Sequence, residues 1–267
     1  MLKDITLGQF FPGTSVVHRL DPRTKLIWVV IYIVALFTAS WFASYAVMLG
    51  VLVLVIGISG VKPKTILKSM KPLLFIIALT GLLNLFYTEG DLLAQLWILK
   101  ITKQGLEKAI FMILRISLLV TGTFMLTYTT SPIALTDGLE QLLRPLNKIK
   151  VPVHELSMMM CIALRFIPTL TQETDKIISA QKARGADFES GNLLRRVKAL
   201  VPILVPLFVS SFRRADELAT AMECRCYHGG EGRTKMNQLR YGKIDFWAFI
   251  CGALLLAAII ALRILNL

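Results

Sequence analysis

Directly after Lys25 the chain reads LIWVVIYIVALFTASWFA, residues 26–43, without a single charged side chain. A hydrocarbon core about 30 Å thick requires roughly 20 mostly apolar helical residues per crossing, so this run reads as the start of a membrane protein. Working outward from it, run length predicts five spans at residues 26–40, 44–60, 72–87, 109–131 and 246–265. The first two are joined by a short turn, Trp41-Phe42-Ala43, that carries the interfacial aromatic residues. The first and third are marginal in length and depend on a packed neighbour or on local bilayer thinning. Composition agrees, because 55% of the 267 residues are hydrophobic and the mean hydropathy is +0.64. Soluble domains reach about 45–50% apolar residues even when glycine is counted. Disorder and nucleic-acid tails are poor fits, and the expected class is an all-α polytopic membrane protein.

The formal charge of +13 is unevenly placed. The N-terminal flank holds Lys3, Arg19, Arg23 and Lys25, and the connection between the second and third runs holds Lys62, Lys64, Lys68 and Lys71 with no acid. Positively charged flanks stay cytoplasmic, so both segments are expected inside. The connection over residues 88–108 balances Lys100, Lys103 and Lys108 against Glu89, Asp91 and Glu107, as an outer loop tolerates. Residues 1–25 mix Asp4, Asp21, Arg19 and Arg23 with two prolines and do not read as a signal peptide, so the mature chain is expected to keep its start. Four cysteines, Cys161, Cys224, Cys226 and Cys251, form no secreted disulfide framework, and reduced thiols are expected.

Three domains follow: a membrane domain of four spans over residues 1–131, a cytoplasmic-side segment over 132–244, and a closing transmembrane helix over 245–267. From 132 to 243 there are 17 basic and 11 acidic residues, more than half of all the charge. Apolar runs within this segment, such as 158–164 and 199–209, read as too short to span; at about 1.5 Å per residue the second covers only about 16 Å. They are expected to bury against the spans or lie along the interface. Leu135, Leu139, Leu142, Leu143 and Leu146 recur at three or four residues and predict an amphipathic surface helix. Two long helices follow, over about 153–183 and 193–226, each with internal proline that should kink it: Pro168 in one, Pro202 and Pro206 in the other. Each ends in a lone arginine beside small residues, Ala183-Arg184-Gly185 and Glu223-Cys224-Arg225-Cys226. A single arginine at a helix end is first of all a cap favoured by the helix dipole, but two at matched ends suggest paired levers. The cluster Arg213-Arg214-Ala215-Asp216-Glu217 has both signs at helical spacing and reads as pairing within its own helix. Gly229-Gly230 is the stronger stop signal of the second lever, so that helix is expected to run on through Cys226 toward Tyr227.

Catalytic signatures are missing. Gly229-Gly230-Glu231-Gly232-Arg233-Thr234-Lys235 lacks the spacing and the strand–loop–helix setting of a phosphate-binding loop, and His18, His154 and His228 lie far apart. Cys224 and Cys226 with His228 make at most a metal half-site, where a closed zinc site needs four ligands. Arg115 and Arg263 interrupt apolar runs near their outer ends, where snorkelling is the economical explanation. The spans contain no carboxylate for a proton or ion relay.

Four segments carry a resemblance: His18-Arg19-Leu20-Asp21-Pro22-Arg23-Thr24-Lys25; Ala163-Leu164-Arg165-Phe166-Ile167-Pro168-Thr169-Leu170; Ala180-Gln181-Lys182-Ala183-Arg184-Gly185-Ala186-Asp187-Phe188; and Arg213-Arg214-Ala215-Asp216-Glu217-Leu218-Ala219-Thr220-Ala221-Met222-Glu223. In this order along the whole chain they resemble the transmembrane T component of energy-coupling factor (ECF) vitamin transporters. The resemblance implies a membrane bundle plus a cytoplasmic coupling domain of long crossed helices, whose two Ala-Arg-Gly-type ends dock on a pair of ABC-type ATPases. A separate membrane S component holds the substrate. It implies Ala183, Arg184 and Gly185 as the first coupling end, and Cys224, Arg225 and Cys226, with Glu223 before them, as the second, which departs from the pattern in having cysteines where alanine and glycine are usual.

The expected function is the non-catalytic scaffold of a multi-subunit importer in the cell membrane. ATP and Mg are expected on the partner ATPases and no cofactor or metal on this chain. Ile203, Leu204, Leu207 and Phe208 are expected to form a platform for the S component, with lipid and no nucleic acid as the remaining partners. A secondary transporter or channel would need polar binding groups among the spans, and a membrane-embedded enzyme would need a nucleophile, base or metal. The topology is tested by single cysteines at Glu89→Cys and Lys150→Cys. In intact cells an impermeant thiol reagent should label the first and not the second; the reverse pattern inverts the assignment.

Overall fold

Pro22 opens a helix well and continues one badly, and an aspartate just before it is a good cap. In the computed structural model, which describes residues 10–89, 91–96, 99–186, 188, 193–230 and 238–265, the first long helix accordingly begins at Pro22, and Asp21 accepts the Arg23 N–H at 2.9 Å. The helices are α1 (Val16–Arg19), α2 (Pro22–Thr38), α3 (Phe42–Ser59), α4 (Pro63–Met70), α5 (Leu74–Tyr87), α6 (Lys103–Thr129), α7 (Pro132–Leu143), α8 (Val153–Ala183), α9 (Leu193–Glu223) and α10 (Lys243–Ile264). A short antiparallel hairpin, Leu92–Leu96 with Leu99–Thr102, stands between α5 and α6 where the sequence suggested only a polar loop. The expected all-α membrane architecture is present. Pro145 ends the amphipathic helix α7 at Leu143, earlier than its leucine spacing suggested, and a 3-10 turn follows.

Among the described residues five helices are long and apolar enough to cross a membrane: Phe42–Ser59, Pro63–Tyr87, Lys103–Thr129, Val153–Ala183 and Lys243–Ile264. The run expected over 26–40 forms α2, whose 17 residues reach about 26 Å at 1.5 Å per residue, the marginal length expected of it. One expectation needs correction: α8 has the length and hydropathy to cross, although its mean of 1.3 is the lowest of the five. Reading only the uninterrupted run 158–164 underestimated it, because one arginine does not end an apolar helix.

The chain divides into two compact units, Gly8–Leu139 with Leu239–Leu267, and Glu140–Gln238. In the first, α2, α3, α6 and α10 surround a core of Tyr32, Leu36, Met48, Met125, Tyr128 and Ile259. Helices α2 and α6 meet at Gly122, where an added Cβ would stand 2.6 Å from the Tyr32 ring. Arg115, expected to snorkel, is instead satisfied within the protein. Its Nε donates to the Tyr45 hydroxyl at 2.9 Å and its Nη2 to the Ala39 carbonyl at 3.1 Å, so it caps the C-terminus of α2.

The opposite end of this bundle is held by two buried charges. Asp245 accepts the Asp21 N–H at 2.9 Å on one oxygen and the Gly242 N–H at 2.7 Å on the other, serving the N-termini of α2 and α10 together. Lys25 donates to the Thr129 carbonyl at 2.9 Å and the His18 carbonyl at 3.3 Å, serving the C-termini of α6 and α1. Arg23 completes the knot with an ion pair to Asp21 at 2.9 Å, its guanidinium 3.9 Å above the Tyr241 ring. Burial pushes the Asp21 carboxyl up. The side-chain and backbone hydrogen bonds from Arg23, with the charges of Arg23 and Lys25, outweigh burial and hold it below the usual carboxylate range. A depressed carboxylate contributes fully above its unfolded-state range and is lost only as pH falls through the lowered value, so the knot should persist in mild acid.

Asp245→Ala strands two N–H groups, one of them buried, and should destabilise the bundle by about 3 kcal/mol. Thermal unfolding in detergent measures it: Asp245→Asn should recover part of the loss, and an unchanged midpoint for Asp245→Ala would show the carboxylate to be incidental.

Candidate functional site

The unit Glu140–Gln238 contains both arginine ends. A proline inside a helix has no N–H to give, so the carbonyl four residues before it loses its partner. In α9 Pro206 leaves the Pro202 carbonyl open, and Gln181 of α8 donates to it at 3.3 Å. Further along, Arg214 of α9 pairs with Glu173 of α8 at 2.8 Å, and Ser210 donates to the other oxygen of the same carboxylate. The expected pairing of Arg214 within its own helix is therefore corrected: the arginine joins the two helices. Successive contacts, Gln181 with Pro202 and Glu173 with Ser210 and Arg214, run in opposite senses, so α8 and α9 are antiparallel. The ends at Arg184 and Arg225 then point away from each other, of order 30 Å apart at 1.5 Å per residue.

Both ends close with the same backbone pattern. At the first, the Gly185 N–H reaches the Lys182 carbonyl at 3.0 Å and the Ala186 N–H the Gln181 carbonyl at 2.9 Å, with Gly185 at φ 86°. At the second, the Cys226 N–H reaches the Glu223 carbonyl at 2.8 Å and the Tyr227 N–H the Met222 carbonyl at 3.1 Å, with Cys226 at φ 56°. Each is a Schellman closure with a left-handed residue directly after the arginine. The expectation that the second helix continues through Cys226 is thus overturned. Helix α9 ends at Glu223, because the carbonyls of its last turn are satisfied by closing there, and Gly229, at φ 96°, belongs to a separate later bend.

Arg184 and Arg225 are exposed, and among the described residues neither guanidinium has a hydrogen-bonded or ionic partner. Ala183, Gly185, Glu223 and Cys224 are exposed beside them, and Cys224 and Cys226 are free thiols. Among the described residues no three His, Cys, Asp or Glu side chains gather to hold a metal. Of the residues expected to form an apolar platform, Leu204 and Phe208 are 46% and 59% exposed, Leu207 is half-buried, and Ile203 is buried at 6% exposure. The exposed stripe is carried instead by Val201, Val205, Val209 and Phe212, whose spacing continues Leu204 and Phe208 along the helix. The segment after α9 returns onto α8, with Gly230 against the His154 ring, which in turn bonds Glu140 at 3.1 Å. Sequence reading passed over His154 because nothing in its neighbourhood suggested a partner.

A multi-pass helical membrane protein carrying a locked pair of long helices with matched arginine ends is the class these observations define. The family described as cobalt transport protein, CbiQ, matches residues 13–236. Proteins named energy-coupling factor transporter transmembrane protein EcfT are close relatives. That of Thermosediminibacter oceani is 53% identical over 95% of this chain and 96% of its own length, that of Acidaminococcus fermentans 51% over 100% and 98%, and that of Bacillus subtilis 48% over 98% and 100%. The chain belongs to this family of transmembrane components of energy-coupling factor transporters.

A left-handed cysteine costs more than a left-handed glycine, by roughly 1 kcal/mol. Gly185→Ala should therefore destabilise the first closure by about that amount, and Cys226→Gly should leave the second unchanged or firmer. Hydrogen exchange of the Ala186 and Tyr227 amides measures each closure; faster exchange at Tyr227 in Cys226→Gly would contradict the geometry.

Proposed function

We propose that this chain couples two ABC-type ATPase subunits to a substrate-binding S component in an importer for a vitamin or other micronutrient. The observation that supports this most directly is the pair of matching helix closures at opposite ends of an antiparallel helix pair, each presenting one arginine that has no partner among the described residues. Two separate cationic points at that spacing suit two copies of one partner surface better than a single binding site. Arginine fits such a joint, since its planar fork pairs with carboxylates in two-pronged fashion and keeps its charge throughout a hydrolytic cycle. ATP and Mg belong to the partners in this reading, and this chain performs no chemistry.

The tie between Arg214 and Glu173 makes α8 and α9 move together, so a shift imposed at either arginine is transmitted along both helices. Leu204 and Phe208, with the apolar residues aligned with them, offer the S component a surface without directional bonds, on which it can tilt. In this reading α8 and α9 lie along the cytoplasmic interface and do not cross it, so the N-terminus and both arginine ends are cytoplasmic, as the basic flanks favour.

Removing one member of a desolvated ion pair strands the other charge and typically costs about 3–5 kcal/mol. Arg184→Glu and Arg225→Glu should each reduce the ATPase chains that co-purify with this subunit, more than the alanine variants do, and should lower uptake in proportion. Wild-type assembly and uptake by both single Arg→Glu variants would reduce these residues to ordinary helix caps.

A further inference from the structure

A cavity of about 310 Å³ lies within the unit formed by Gly8–Leu139 and Leu239–Leu267. It is lined by residues 25–32 of α2, 51–58 of α3, 122–129 of α6 and 244–251 of α10, so it occupies one half of the bundle's length, the half that begins at the N-terminal flank. Its inner wall is made by the buried Tyr32, Leu52 and Met125, and its rim by the exposed Val16, Ile58 and Trp247. The size is that of a ligand cavity.

The few polar atoms that reach the lining are already engaged. Lys25 holds two carbonyls, the Tyr32 hydroxyl donates to the Leu118 carbonyl, Thr129 to the Met125 carbonyl, and the Trp28 ring nitrogen to the Ala248 carbonyl at 2.7 Å. Apart from the weakly polar Cys251 thiol, a water-soluble ligand finds no free side-chain group there, and apolar cavities stay dry. A hydrocarbon chain needs none. At the same end of the bundle Arg19, Lys62, Lys64 and Lys243 are exposed, whereas Asp21 and Asp245 are buried and consumed by internal bonds. That end of the bundle is therefore cationic, whereas the turn at the other end of α2 and α3, residues 39–41, has no charge.

We propose that this cavity binds one acyl chain of an anionic phospholipid, whose phosphate is held by Lys62, Lys64 and Lys243. The site is built from the unit of Gly8–Leu139 and Leu239–Leu267 alone, and it requires only that the chain spans a membrane, whichever side that leaflet faces. The bound lipid fills the space between α2, α3, α6 and α10 and so makes the packing of the bundle depend on the composition of the membrane.

The test uses the full chain with Trp28 as its sole tryptophan (Trp41→Phe, Trp97→Phe, Trp247→Phe), reconstituted in phosphatidylcholine vesicles containing a small fraction of lipid with dibrominated acyl chains. Trp28 should be quenched by dibrominated phosphatidylglycerol at fractions where dibrominated phosphatidylcholine has little effect. Lys62→Gln, Lys64→Gln and Lys243→Gln should each reduce that preference by about fivefold, the worth of one lysine near an anionic surface. Val55→Phe with Leu126→Phe should fill the cavity and abolish the quenching; if that variant does not fold, the glutamine series decides. Equal quenching by the two lipids, a preference unmoved by the glutamine variants, or no quenching by either, as when a segment of protein fills the cavity, would each overturn the proposal.

Discussion

A helix that ends near a bilayer leaves four N–H groups at one end and four carbonyls at the other, and hydrocarbon supplies no partner for them. The bundle meets this constraint with two buried side chains of opposite sign. Asp245 serves two helix N-termini and Lys25 two C-terminal carbonyls, so each charge sits where the helix dipoles favour it. Neither is an isolated charge in a low dielectric, because each is surrounded by aligned backbone dipoles and, for the acid, by Arg23 and Lys25 nearby. The same solution appears at the other end, where Arg115 closes α2 through the Ala39 carbonyl. The order of the helices around the core follows from which ends these few side chains can reach. Residue 21 is joined to residue 245, and α10 is thereby seated on α2 although the whole of the second unit intervenes in sequence.

The unit containing α8 and α9 faces a different version of the same problem. Proline inside a helix removes a donor, and the carbonyl it frees must find another. Gln181 supplies it to Pro202 across the helix pair, so an irregularity in one helix becomes a contact with the other. The pair is then fixed at a second level by Glu173, which takes both Ser210 and Arg214. Two polar contacts at different heights set the register of the pair and leave the outward apolar face of α9 free of obligations within the unit.

Much of this was legible in the sequence. The uncharged run after Lys25 and its later counterparts marked the membrane bundle, the leucine spacing over 135–146 marked the amphipathic helix α7 though not its end, and Arg184-Gly185 marked the end of α8. Matched arginine ends were visible as a repeated grammar, and the structure supplies the shared closure beneath them. Long-range partners were not legible. Nothing local indicates that Asp245 will meet residue 21, that Arg214 will ignore the acids beside it for Glu173, or that Ile203 will turn inward while Leu204 turns outward. Such choices are made when helices pack, and a periodic pattern fixes only which residues share a face. The error over α8 had another cause, since counting uninterrupted apolar residues gives a single arginine more weight than a membrane helix does.

Cys226 shows how strongly the closure of α9 is determined. A β-carbon in the left-handed region is unfavourable by about 1–2 kcal/mol, and two glycines a few residues on offered an easier stop. The chain nevertheless turns at Cys226, because closing there satisfies the Met222 and Glu223 carbonyls with the Tyr227 and Cys226 amides, each hydrogen bond contributing about 1 kcal/mol. Turning after Arg225 places it as Arg184 is placed, on the last residue before the reversal. The two ends are therefore equivalent in backbone although they differ in sequence, and it is the position of the arginine relative to its helix axis, not the identity of the residue that follows, which the fold keeps the same at both.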